Sequence, residues 1–334
     1  MRPRSNPAER DASAAECHRN YERGHTVWRS VWLRGLVSAA ILAFLASRID
    51  MGAALAALLR VRLPHLVAVL ALVALDRGVM IGRWLLVLRS SGQPVPVKSV
   101  TWIFLVSSFI GSALPAGIGA DAARAYTLSR RTDDASEAVA SVAVDRLMGV
   151  LSLAVLAVTG AMLWGSATDT FPIGWIWVAT GVVGVAITGM FWADRWLRGV
   201  LPPSWHASTV GRPLIALADA VSRYRDRRAA LVGVFGLSVL VQLLRVLQAY
   251  LLGLGLGIEV PLVYYLVFMP VGLLMLLLPV SVAGFGLPQG TIVLLLRPLG
   301  VPDSLSFALS TLIVLTGLAG NLPGAWLYAR SKRQ

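Results

Sequence analysis

The sequence predicts an all-α fold: a polytopic transmembrane helical bundle with two re-entrant hairpins arranged as an inverted repeat. Three observations predict it. First, the chain is 57% hydrophobic and only 14% charged, where a water-soluble domain carries about 25% charged residues. Second, the apolar residues gather in blocks of about 18 or more, the length needed to cross a hydrocarbon core of about 30 Å. These blocks are apolar around the whole circumference, unlike the striped helices of a soluble core. Third, two sets of turn landmarks recur in the same order at nearly the same offset.

The elements follow in order. Residues 1–29 are polar and of mixed charge, and read as a disordered cytoplasmic tail rather than a signal peptide. Block one, about Val31 to Ala46, is an uncleaved anchor. The stretch Ile49 to Arg62 places Leu55, Leu58 and Leu59 beside flanking arginines, the pattern of an interfacial helix. Block two, about His65 to Leu88, contains Asp76, Arg77 and Arg83. Block three, about Val100 to Leu114, ends at Pro115 and Gly117-Ile118-Gly119, and a helix too short to span follows to Arg130. Blocks four and five run from about Ala143 to Trp164 and from Phe171 to Trp192.

Residues 194–228 are polar and rich in arginine, with Leu214, Leu217, Ala218 and Val221 on one helical face, as in an interfacial helix or linker. Block six, about Ala230 to Leu254, carries Gln242, Arg245 and Gln248. Block seven, about Val263 to Leu278, ends at Pro279 and Gly284-Phe285-Gly286, before a short apolar piece from Thr291 to Leu296. Block eight runs from about Leu305 to Tyr328 and a basic tail closes the sequence. The transmembrane domain is therefore residues 30–330.

The repeat rests on Gly92-Gln93-Pro94-Val95-Pro96, which recurs as Gly257-Ile258-Glu259-Val260-Pro261, an offset of 165 residues. Leu114-Pro115 recurs as Leu278-Pro279, an offset of 164. Repeat one then covers about 65–165 and repeat two about 230–328. If each Leu-Pro-glycine element is the tip of a re-entrant hairpin, the arginine-rich 130–137 and 194–228 segments and both termini fall on the cytoplasmic face, as the positive-inside bias requires. Were every block to cross, residues 194–228 would lie outside. The hairpins also make the two repeats opposite in orientation, a plan common among transporters.

The net charge is +13, almost all of it arginine. Because the arginines flank apolar blocks, they read as topology signals and headgroup contacts, which excludes a nucleic-acid partner. Cys17 is the only cysteine, so no disulfide forms within the chain, and the four histidines lack ligand spacing. No metal site or cofactor is readable. No nucleophile–base set or Walker loop appears either, so the protein is not expected to be an enzyme.

Charge at bilayer depth costs at least about 2.5–3.5 kcal/mol per residue, so it should face protein or a wet cavity. Arg83 on block two, and Gln242, Arg245 and Gln248 on block six, are the interior candidates. Each lines a binding cavity or else ties helices together. At the first tip, Gly117 and Gly119 free backbone N–H groups beside a helix N-terminus, where a phosphate is favoured. Arg124 adds a charged contact there, and Asp121 either caps the helix or joins the site. Asp145 and Arg146 open block four. The second tip offers Ser281, Gly284, Gly286 and Gln289.

Arg83-Trp84, Leu114-Pro115, Gly119-Ala120-Asp121-Ala122-Ala123-Arg124 and Asp145-Arg146 with Gly149 resemble the ordered motifs of the lysylphosphatidylglycerol synthase transmembrane-region, or flippase-like, family. Pro279-Val280-Ser281, Gly284-Phe285-Gly286 and Leu322-Pro323-Gly324 fit its second half. The resemblance covers about 30–330 and implies a domain that moves phospholipids, or polyprenyl-phosphate or hopanoid-type lipids, between leaflets of the cell membrane. In the full-length synthases an aminoacyl-transfer domain follows; the chain stops at Gln334, so no lysine transfer is expected. Two departures stand out. Pro288-Gln289 occupies a place where the family often shows Arg-Glu, and the first tip reads Gly-Ala-Asp rather than Gly-Gly-Asp. The lost carboxylate argues against a cationic-lipid or proton-coupled role. The expected partner is thus an anionic or phosphate-bearing membrane lipid. The alternatives are a membrane-embedded glycosyl or lipid transferase accessory, or a scaffold that holds lipid-synthesis enzymes.

Overall fold

In a computed structural model, the described residues are 50–59, 61–93, 95–112, 118–132, 134–165, 191–200, 211–275 and 286–331, with positions 181, 184, 185, 188, 189, 202 and 208. The expected tail, block one, most of block five and both glycine tips (113–117 and 276–285) lie outside them, among them Gly117, Ser281 and Gly284. Among the described residues all regular structure is helical. Helix α1 spans Met51–Leu59, α2 Leu63–Ser90, α3 Val97–Ser112, α4 Ile118–Ser129 and α5 Ala135–Gly165. Then come α6 (Ala193–Val200), α7 (Gly211–Ser222), α8 (Arg228–Leu256), α9 (Leu262–Met275), α10 (Leu287–Leu296), α11 (Asp303–Ala319) and α12 (Leu322–Ser331).

Four runs are long and apolar enough to cross a membrane: α2, α5, α8 and the α11–α12 pair. At 1.5 Å per residue, the 28 residues of α2 extend about 42 Å, more than the hydrocarbon core. The 12 residues of α4 and 10 of α10 reach only about 18 Å and 15 Å. The described helices therefore read long, short, short, long from 63 to 165, and again from 228 to 331. Gly92 and Gly257, the paired landmarks of the sequence, both follow a long helix with left-handed φ of 81° and 77°, which glycine adopts at no steric cost.

Helices α2 and α8 pack along their whole lengths. His65 lies against Gly255, Asp76 against Arg245, Arg83 against Ser238 and Leu86 against Gly233, so the two run antiparallel. The short helices fold back on their neighbours. Phe104 of α3 meets Arg124 of α4, while Gly111 sits against Ala120. In the second half, the Tyr264 hydroxyl of α9 donates to the Leu295 carbonyl of α10 at 2.5 Å, and Gly272 lies beside Ile292. The two halves also clasp each other at a pair of glycines. A Cβ on Gly160 of α5 would stand 2.6 Å from the Leu266 carbonyl oxygen of α9, and one on Gly324 of α12 would overlap the Leu105 carbonyl oxygen of α3. Small residues let membrane helices approach to backbone contact, which is where their packing energy lies.

Two departures from the expected blocks have local causes. Helix α5 begins at Ala135 rather than near Ala143, because the Asp134 carboxylate accepts the Glu137 N–H at 3.1 Å and caps a polar first turn. Block eight is broken at Gly320–Asn321 into α11 and α12. Pro323 has no N–H to donate and its ring would strike the carbonyl four residues back, so the helix restarts.

Helix α7 docks on α5 through Ala218 and Val221, whereas Leu214, expected on the same face, is exposed. Glu137, buried at the start of α5, anchors the following turn. It accepts from the Tyr224 hydroxyl at 2.7 Å and from Arg223 Nη2 at 2.5 Å. Burial pushes the Tyr224 hydroxyl above its ordinary pKa, so it stays a donor at neutral pH.

The bundle has two apolar cores. One gathers Trp84, Leu88, Phe104, Leu128 and Met148; the other gathers Val69, Val73, Leu252, Tyr265, Phe268 and Leu309. Between them, at mid-length of α2 and α8, lie the polar residues. The clasp predicts that Gly160→Val and Gly324→Val each destabilise by about 1–3 kcal/mol through overpacking. Gly236→Ala, with nothing within 4 Å of the new methyl group, should leave the melting temperature in detergent unchanged.

Candidate functional site

The mid-bundle charges form two linked groups. In the first, Arg83 of α2 grips Asp145 of α5 as a fork: Nε donates to Oδ1 at 2.7 Å and Nη2 to Oδ2 at 2.9 Å. Arg83 Nη1 donates to the Ser238 hydroxyl of α8 at 3.1 Å. Arg124 of α4 donates to the same Asp145 from the other side at 3.0 Å. Its guanidinium lies over the rings of Trp84 and Phe104, at 5.0 and 4.7 Å, where the ring faces attract a cation.

Asp121 then bridges Arg124 (3.4 Å) to Arg146 (3.5 Å). It sits inside the first turn of α4 and pairs across it, rather than capping the helix as one sequence reading had it. Gly119 lies in that same turn. Arg83, Arg124 and Asp145 are almost fully buried, whereas the Arg146 side chain keeps 44% of its surface. With three arginines and two aspartates, the group carries one net positive charge.

The second group is Arg77, Asp76 and Arg245. Arg245 Nε donates to Asp76 Oδ1 at 3.3 Å, Arg77 stands 3.8 Å from Oδ2, and Arg77 Nη2 donates to the Gly317 carbonyl at 3.1 Å. This group too is net +1. Asp76 and Arg83, which share a face of block two in the sequence, therefore belong to different groups. Burying a charge is costly unless a counter-charge and hydrogen bonds replace water, and each group supplies one carboxylate too few.

The groups meet at a cavity of about 210 Å³. It is lined by Arg83, Arg146, Gly149, Gln242 and Arg245 with the apolar Met80, Val150, Leu153, Val241 and Leu273. Gln242 Nε2 donates to the Gly149 carbonyl at 3.4 Å, and its Oε1 is buried with no partner among the described residues. On the other side of Arg245 lies a second cavity of about 260 Å³, lined by Asp76, Arg77, Gln248, Thr316, Asn321 and apolar side chains. Arg83, Arg146, Gln242 and Arg245 of the sequence set are thus brought together at one cavity, while Gln248 falls in the second. Gln289 is elsewhere: it is fully buried and its Oε1 accepts the Gly286 N–H at 2.7 Å, closing the start of α10. Gly286 has a φ of 111°.

Sequence reasoning did not single out Ser238, Thr316 or Asn321 and left Asp76 and Arg77 out of the site. Asp76 and Arg77 carried a signal, as charges in an apolar block. A lone hydroxyl or a post-helix asparagine carries none.

The fold and its interior define a class: a multi-pass helical membrane protein with an arginine-lined polar centre. The chain belongs to the lysylphosphatidylglycerol synthase transmembrane-region family, whose family model matches residues 31–324. No curated protein matches the chain significantly.

The Asp145 network yields a prediction. Asp145→Asn leaves two buried guanidinium groups short of charge and should cost about 3–5 kcal/mol. Asp145→Leu combined with Arg83→Met should recover part of that loss in thermal-unfolding measurements, because no charge is then left unpaired at that pair.

Proposed function

We propose that the protein binds a phosphate-bearing membrane lipid by its headgroup at the centre of the bundle and carries it from one leaflet to the other. One observation carries this reading. Among the described residues the central cavity is lined by Arg83, Arg146 and Arg245 without a carboxylate, between two charge groups that each lack one negative charge. An anion entering there would complete both. Guanidinium groups suit the task, because their planar forks match phosphate oxygens. Acyl chains need not enter, since the apolar faces of the long helices are exposed to lipid.

The antiparallel packing of α2 on α8, the matching order of helix lengths and the reciprocal glycine contacts support a two-fold relation between the halves, with its axis across the helices. In this reading α3–α4 and α9–α10 are re-entrant hairpins. Rocking of one half against the other along the α2–α8 seam would open the arginines to each leaflet in turn. Membership of the family supports a lipid-related role.

Arg146 tests the proposal, since its half-exposed ion pair with Asp121 is worth at most about 1 kcal/mol of stability. Arg146→Gln in the full chain, reconstituted in vesicles, should slow leaflet exchange of acyl-labelled phosphatidylglycerol at least tenfold with an unchanged melting temperature. Wild-type exchange in that variant would remove the arginine cavity from the mechanism.

We further place residues 130–137 and 194–228 on the cytoplasmic side of the cell membrane, with both termini, because arginines favour that face. With Cys17 replaced by serine, a cysteine at position 131 should resist membrane-impermeant maleimide in intact cells and react after lysis. Labelling from outside would reverse the topology.

A further inference from the structure

We propose that the linker between the two halves and the start of α8 form a peripheral site for an anionic phospholipid, separate from the central cavity. Arg195, Arg225 and Arg228 hold its phosphate, and one acyl chain lies along the outer side of α8. The inference requires neither the central arginines nor transport.

The site is a cleft of about 420 Å³ lined by Trp192, Arg195, Arg225, Asp226 and Arg228. Phe191 and Leu231 supply its apolar wall. Arg225 is fixed by the fold. Its Nη1 donates to the Phe191 carbonyl at 3.3 Å, Asp194 stands 3.8 Å away, and the guanidinium lies 5.5 Å from the centre of the Trp192 ring. Arg195 and Arg228 are exposed, and their side chains have no hydrogen bond or ion pair among the described residues. Setting Asp194 and Asp226 against the three arginines leaves one net positive charge, so the cleft favours an anion. Guanidinium forks match phosphate oxygens.

The exposed side of α8 points to a lipid as the carrier of that phosphate. Arg228 is the first residue of this membrane-length helix. Val232, one turn further on the same side, is 71% exposed, and Gly236, Leu240 and Leu243 continue the exposed strip at helical spacing. From Val232 to Leu243 the strip runs about 17 Å, close to the depth of one leaflet. A methyl group at Gly236 would meet nothing within 4 Å, so the strip has an open notch. A phosphate at Arg228 thus sets its acyl chain on an apolar track that begins one turn below. A soluble anion makes no use of that track. Val241, Gln242 and Arg245, which line the central cavity, lie on the opposite side of α8. Helix α6 sets the depth of the cleft. Trp192, Trp196 and Val200 recur every fourth residue and are exposed, while Arg198 pairs with Asp219 of α7. Indole rings favour the headgroup level and an amphipathic helix lies in that plane, which puts Arg195 among the phosphates.

Photo-crosslinking of the full chain in nanodiscs, with phosphatidylglycerol carrying a diazirine in one acyl chain, tests the site by position. Labelling mapped to residues 232–243 by mass spectrometry should exceed that by the phosphatidylcholine analogue at least fivefold, as one or two arginines at a membrane surface allow. Arg195→Gln combined with Arg228→Gln should erase the excess, and each substitution alone should take part of it. The melting temperature in detergent should stay at the wild-type value, because neither side chain has a partner to lose. Arg146→Gln should leave the excess intact, so failure of the central arginine cavity and failure of this site are separate results. Equal labelling by the two lipids, an undiminished excess in the double variant, or its loss in Arg146→Gln overturns the inference. Competition by millimolar inorganic phosphate as effective as that by unlabelled phosphatidylglycerol would assign the cleft to a soluble anion and overturn it as well.

Discussion

The constraint on which the rest of the structure depends is the cost of holding arginine charge at the middle of a membrane-length helix. Arg83 and Arg245 sit inside α2 and α8, two membrane-length helices packed on each other, where water cannot reach them freely. Each must find its counter-charge on another helix, because a neighbour on its own helix cannot surround a guanidinium group. Asp145 therefore draws α5, and through Arg124 also α4, onto α2. Asp76 draws α8 onto the other flank of the same helix. The helices that carry the charges are the ones that the charges hold in register.

Apolar packing alone would not give this arrangement. Lipid tails are as apolar as leucine, so burying leucine between membrane helices gains little over leaving it in lipid. What distinguishes one packing from another is close backbone contact and polar pairing. The bundle uses both, and keeps them apart. Gly160 and Gly324 bring α5 against α9 and α12 against α3 to backbone distance. The ion pairs occupy the space between the two apolar cores.

The pairing is incomplete by design of its charges. Arg83, Arg124 and Arg146 face two aspartates, and Arg77 and Arg245 face one. A purely structural network reaches its lowest energy when neutral, as desolvated excess charge has nothing to offset it. The excess here borders a cavity, and the most exposed member, Arg146, is held only by a 3.5 Å ion pair with Asp121. An anion bound beside the arginines, as proposed, would offset that excess. That links the stability of the bundle to its occupancy.

The sequence by itself determined the solvent, the helices and the fold class. Hydropathy and block length depend only on local composition, so α2, α5 and α8 were legible to within a few residues, apart from the early start of α5. Charges inside apolar blocks marked Arg83, Asp145 and Arg245 as interior, because a lipid-facing charge is too costly to retain, while Arg124 stood out only by its place on the short helix after the first tip. Only the tertiary structure decided who pairs with whom. Arg83 could have met Asp76, seven residues away on its own helix, yet it meets Asp145, 62 residues on. A shared helical face leaves the two Cα atoms about 10 Å apart at that spacing, while a packed neighbouring helix brings the charged groups into direct contact. Asn321 and Thr316 were invisible for a related reason. Their place at the second cavity comes from the break between α11 and α12 and from the crossing of that pair with α2 and α8, neither of which leaves a periodic trace in the chain.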